Sequence, residues 1–143
     1  MPRLQFQPVA HYPFATEMPI RPDQINEGNH LDNVQLLDLV SQARTRFFAW
    51  LGYSVMDVEG HAFFVADQAV QYRSEGQPGE VLRIEMMPAD LNPKGFDLMF
   101  RVSESQSGRE VALGKIGLVC VDPASRKPGF IPEAFKQALA RAG

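Results

Sequence analysis

The sequence predicts an α+β architecture, a curved antiparallel sheet wrapped around one long central helix, with a short helix at the C-terminal end. Three observations carry that reading. One run of apolar residues at helical spacing lies in the first half of the chain, four segments of strand composition follow it at hairpin spacing, and a shorter amphipathic stretch ends it. Helix and strands are segregated along the chain, so the sheet has the apolar stripe of the helix to cover.

Residues 14–21 (FATEMPIR) read as a short strand, and Pro19, which lacks a ladder donor, assigns it to a sheet edge or a bulge. A turn covers Arg21 to Asn29. In the helix that follows, Val34, Leu36, Leu37, Val40, Ala43, Phe47, Phe48 and Leu51 recur at helical spacing, while Asp38, Ser41, Gln42 and Arg46 fall elsewhere around the cylinder. Its start signal is Asp32, with Gln35 three positions on in the manner of a capping box, and its stop signal is Gly52.

The period then changes. His61 to Arg73 has strand composition, with Phe64, Ala66, Val70 and Tyr72 on one face; Gln68 interrupts that face and Asp67 the other. Residues 80–87 set Leu82, Ile84 and Met86 against Val81, Arg83 and Glu85. After a turn at Asn92-Pro93-Lys94-Gly95, residues 96–103 set Phe96, Leu98, Phe100 and Val102 against Asp97, Met99, Arg101 and Ser103. A last strand, residues 110–122, is reached through Ser107-Gly108, and the tail PEAFKQALARA opens its helix with Pro132 at the first helical position. Apolar residues on both faces of several strands require a second covering surface, which a homodimer supplies.

A chain of 143 residues, 45% hydrophobic, is sized for a single domain with a real core. Its net charge of -3 and lack of a clustered Lys/Arg surface argue against nucleic-acid binding; Arg126 and Lys127 read as a solvated turn. No apolar run reaches the roughly 18 residues that span a bilayer, and the N-terminal MPRLQFQPVAHYPF has no signal-peptide apolar block, so the expected location is the cytoplasm. The single cysteine, Cys120, agrees with a reducing compartment and reads as a small core residue beside Ile116 and Leu118. His11 and His61 lack metal-ligand spacing, and no metal is expected. The absence of GxSxG, HExxH and GxxxxGK[ST] motifs removes serine hydrolases, zincins and nucleotide hydrolases of those designs.

Chemistry concentrates in residues 20–33, IRPDQINEGNHLDN, where Asn26, Glu27, Asn29, His30, Asp32 and Asn33 crowd into one turn-rich segment ahead of the helix. A helix start offers unpaired N–H groups and a positive dipole end, which suit an anion or a carbonyl oxygen gaining negative charge.

That segment, together with the element order, resembles the hotdog-fold acyl-CoA thioesterases of the 4-hydroxybenzoyl-CoA thioesterase type, whose helix is preceded by D-x-D-x-x-G-H-x-N-N. Laid on this pattern, Gln24 takes the first Asp, Asn26 the second, Asn29 the Gly, His30 the His, Asp32 the first Asn and Asn33 the second. A thioesterase-like subgroup with D-I-N-Y-G-N-H-L-G-N is matched in place by Ile25, Asn26, Gly28, Asn29, His30, Leu31 and Asn33. Tyr72-Arg73 followed by Gly79-Glu80 looks like the Y-R-x-P…G-D element, and Gly114-Lys115 with Leu118, Val119 and Asp122 looks like the last strand. The resemblance covers nearly the whole chain. It implies hydrolysis of an acyl-CoA or acyl-carrier thioester at a subunit boundary, in a dimer or a tetramer of dimers; coenzyme A is part of the substrate, and no separate cofactor is needed.

Asn26 departs from the family, standing where many members carry the catalytic carboxylate. An amide has no titratable acceptor, so it neither takes a proton from water nor attacks as a carboxylate does. Thioester hydrolysis needs a stabilised oxyanion, a positioned water and a proton acceptor. The resemblance implies an oxyanion or substrate site around Asn29, Asn33 and Val34, built on helix-start N–H groups. Asn26 either holds the carbonyl or water or makes a local Asx turn, and His30 either serves as base or anchors the turn. Glu27 and Asp38 are the carboxylates placed to replace the missing Asp. Related thioesterases carry a helix carboxylate facing the neighbouring subunit's thioester, near the position of Asp38, although a solvated helix face explains Asp38 as well. Arg73 and Lys94, then Arg101 and Lys115, are candidates for the coenzyme A phosphates, although ordinary surface charge explains each of them as well. Two rival readings are a catalytically silent acyl-CoA binding module and a hotdog hydratase or dehydratase, the latter without its usual H-F-P-G lead-in.

Overall fold

Asp32 starts the long helix α1 (Asn33–Trp50) by accepting from the N–H groups of Val34 and Gln35 through its carboxylate. The reciprocal half of a capping box is not formed. Asp32 N–H donates instead to Gln24 O at 2.9 Å, tying the helix start to the preceding turn. Gly52, at φ +91°, ends the helix as its position predicts.

The computed structural model describes residues 4–142. Around α1 run β1 (Phe14–Pro19), β2 (Ala62–Tyr72), β3 (Val81–Asn92), β4 (Gly95–Glu104) and β5 (Glu110–Val121), and α2 (Glu133–Ala142) follows. All five strands form one antiparallel sheet in the order β1-β3-β4-β5-β2, which leaves β1 and β2 outermost. Pro19 therefore sits on an outer strand, as expected.

Leu36, Leu39, Val40, Ala43, Phe47 and Phe48 form the buried stripe of α1; Val34, which the periodicity assigned to that stripe, is 64% exposed. Against the stripe pack Leu82, Ile84 and Met86 of β3 and Phe96, Leu98, Phe100 and Val102 of β4, the faces their alternation predicts. Phe135 of α2 stacks on Phe48 at 5.6 Å between ring centroids and also meets Phe63 and Phe96, so the closing helix joins the same core. Pro132 precedes α2 rather than occupying its first turn; its carbonyl accepts from Phe135 and Lys136. Cys120 is fully buried in this core, where desolvation raises its thiol pKa and suits it to packing.

Two strands differ from the sequence reading. β2 shifts register against β5 between Val65 and Asp67, so Ala66 is an extra residue and the faces exchange there. Phe63, not Phe64, is the core residue before the bulge, and it shares its face with Gln68, Val70 and Tyr72 beyond it. β3 continues past Pro88 to Asn92 because its pairing with β1 ends at Met86, leaving a local edge where proline is tolerated.

Candidate active site

Residues 26–29 close into a tight turn in which Asn29 N–H donates to Asn26 O and Asn26 N–H to His30 O, each at 3.0 Å. Asn26 Oδ1 accepts from Gly28 N–H at 2.9 Å, an Asx turn, and Asn29 takes the left-handed conformation at φ 61° that its short polar side chain tolerates. The other end of the Asn26 amide, Nδ2, donates to Asp32 Oδ1 at 3.3 Å. Asn26 is thus committed to the turn at both ends, with one amide hydrogen left over.

The Asp32 carboxylate occupies the N–H of Val34, one of the two amides expected at an oxyanion site. Among the described residues the Asn33 N–H meets no acceptor, and it stands at the positive end of α1.

Beside it opens a cleft of about 370 Å³, large enough for a small ligand. The approach to α1 supplies one wall through Asn26, His30 and Asn33; Tyr72 and residues 73–76 supply the other, with Leu36 and Val111 also in the lining. Burial and the nearby Asp32 carboxylate both push the Tyr72 phenol up from its ordinary pKa.

Of the residues singled out in the sequence, Asn26, His30, Asn33 and Arg73 come together here. Asn29, Val34 and Glu27 are exposed and do not line the cleft; Asp38 is exposed too, accepting from Gln42 Nε2 at 2.9 Å. Lys94 lies elsewhere, over the Phe130 ring at 5.2 Å. Arg101 is paired with Glu85 at 2.9 Å, and Lys115 is held between Asp67 and Asp97 at 3.2 Å from each. Arg73 is itself partly engaged, donating to Phe6 O at 2.8 Å.

Sequence reasoning missed Glu75, which lies in the cleft wall with its Oε2 at 3.3 Å from His30 Nε2. Its loop is held on two sides. Leu31 N–H donates to Gly76 O at 2.8 Å, and Arg109 donates to Ser74 Oγ, to Glu75 O and, through both terminal nitrogens, to the Glu80 carboxylate. Gly76 lets the loop approach closely, since a Cβ there would lie 3.0 Å from Leu31 Cβ. The only sequence signals were the Tyr72-Arg73 match before it and the Gly79-Glu80 match a few residues on.

Hydrogen bonds from Arg109 hold the Glu80 carboxyl below its ordinary pKa, against the opposing effect of burial. A depressed folded pKa contributes stability that is present above the unfolded value and lost as pH falls through the folded one. Amide exchange at residues 74–76 is therefore expected to quicken relative to the β3–β4 amides as pH falls below the ordinary carboxylate range, and Glu80→Gln to remove that difference. Equal acid sensitivity in both proteins would show that the clamp does not hold the loop.

No curated protein sequence matches the chain. Among solved structures, a 1,4-dihydroxy-2-naphthoyl-CoA thioesterase from Synechocystis superposes with a TM-score of 0.81 at 15% identity, over 89% of this chain and 95% of that one. A Staphylococcus aureus protein characterised in complex with CoA gives 0.83 at 18% identity, over 96% and 87% of the two chains. YbaW, a probable thioesterase from Escherichia coli, gives 0.75 at 21%, over 92% and 98%. At such identities the likeness establishes the shared hotdog fold. The sequence model of the thioesterase-like superfamily matches residues 20–139, which takes in the turn, the whole of α1 and both walls of the cleft, and the chain belongs to that superfamily.

Proposed function

We propose that this chain is an acyl-CoA thioesterase. The observation that carries the reading is one cleft lined together by Asn33, whose N–H is uncommitted, by Asn26, with an amide hydrogen to spare, and by His30. A thioester carbonyl accepting from Asn33 N–H gains the helix-start dipole as its oxygen becomes anionic. Asn26 then orients water toward the carbonyl carbon, and His30 stands beside it for proton transfer. Arg73 is the cleft's cation for the coenzyme A phosphates, and the apolar Leu36, Val111 and Tyr72 suit the acyl group or pantetheine.

In the same reading two copies associate through the exposed side of outer strand β2, which borders the cleft at Tyr72. Asp38 would then serve the neighbouring copy's thioester. The Synechocystis thioesterase and the CoA-bound Staphylococcus aureus protein support an acyl-CoA substrate by likeness of fold.

A panel of short, long and aromatic acyl-CoA substrates, scored for free thiol, tests the proposal. Turnover of at least one class is expected. The commitment of both ends of Asn26 to the turn favours a second reading, a binding module that keeps the groove without catalysis. Calorimetric binding of acyl-CoA with no thiol released would replace the first reading with the second.

A further inference from the structure

His30 Nδ1 lies 3.0 Å from Leu31 O, and because a carbonyl only accepts, that nitrogen carries hydrogen. Nε2 is then protonated only in the imidazolium form. Facing it at 3.3 Å is Glu75 Oε2. When the ring carries hydrogen on both nitrogens, Nε2 donates to this carboxylate oxygen, so the pair is placed to pass one proton between them.

Glu75 makes no other side-chain bond among the described residues, and 60% of its side chain is exposed, which leaves Oε1 free in the cleft wall. The other ionisable groups facing the pair are differently placed. Asp32 is occupied by Asn26 Nδ2 and by two helix-start amides and does not line the cleft; Tyr72 is a phenol, and Arg73 is a cation. Asp38 is on the exposed side of α1 and outside its own chain's cleft; in the paired form it is the rival for the base, and takes that role if Glu75→Gln keeps the parent's kcat.

We propose that Glu75 supplies the carboxylate absent from position 26, acting as the base that activates water while His30 acts as the acid that protonates the leaving sulfur. This rests on the thioesterase reading. Water oxygen bonds to the carbonyl carbon as one of its protons passes to Glu75 Oε1, and the carbonyl electron pair moves to the oxygen at Asn33 N–H. When the C=O bond re-forms the C–S bond breaks, and the sulfur takes the Nε2 proton of His30. The proton gained by Glu75 then passes to Nε2 and restores the pair, leaving a carboxylic acid and a thiol.

Glu75→Gln keeps the shape and removes the proton acceptor. The expected result is a fall in kcat of about 100-fold or more with KM changed by less than about twofold, and Glu75→Asp is expected to stay about tenfold or more above the Gln variant. Both variants should melt with the parent, because Glu75 is exposed. A Gln variant with the parent's kcat overturns the inference and leaves the thioesterase reading standing. So does an Asp variant no better than Gln, a change confined to KM, or a kcat loss matched by lost stability. A parent that releases no thiol on any substrate overturns both.

Discussion

Phe48→Ala is expected to lower the free energy of unfolding by about 3–5 kcal/mol, the largest stability change predicted for this protein. Phe48 is fully buried, and its ring lies 5.6 Å from Phe63 of β2, 6.4 Å from Phe96 of β4 and 5.6 Å from Phe135 of α2. One side chain thus joins the central helix to two strands and the closing helix. Its removal costs the transfer energy of the ring and leaves a cavity that three further phenylalanines cannot readily fill, since each is fixed by its own neighbours. Chemical denaturation reads the difference directly. Met56→Ala, at a side chain 55% exposed, should stay within about 0.5 kcal/mol of the parent and serves as the comparison. If the two substitutions cost the same, the aromatic cluster does not hold the layers together.

The parts of the fold that were legible in the sequence are those set by local pattern. Phe96, Leu98, Phe100 and Val102 alternate without interruption, so their common face followed from period alone, and Asp32 and Gly52 bound α1 because a cap and a left-handed stop are local requirements. What was not legible depends on partners distant in the chain. The bulge at Ala66 exists only in the pairing of β2 with β5, and it moves Phe64 off the face that alternation gave it. Periodicity likewise places Val34 and Asp38 on α1 without showing where the cleft opens, and both lie outside it. Glu75 carries no periodic signal, and the Tyr72-Arg73 and Gly79-Glu80 matches bracket it without marking it. It reaches His30 because Arg109 and the Leu31 amide draw its loop against the turn.

His30→Ala is expected to reduce kcat by about 100-fold in a thiol-release assay while the melting temperature stays close to the parent's, because the ring is at the cleft and its two contacts are with Leu31 O and Glu75. Loss of activity alone does not separate the ring's chemistry from its place in the turn. Gly28 supplies the separation. A Cβ at Gly28 would lie 3.1 Å from both Cδ2 and Nε2 of His30, so Gly28→Ala crowds the imidazole sideways without removing it. It should lower kcat by an intermediate factor, about tenfold, through misplacement of a group that must sit close to the reacting atoms. In the His30→Ala background there is no ring to displace, and the same Gly28 substitution should then have almost no further effect on kcat. Additive losses in the double variant would show that the added methyl acts on the turn itself, and that the position of the imidazole is not what the glycine protects.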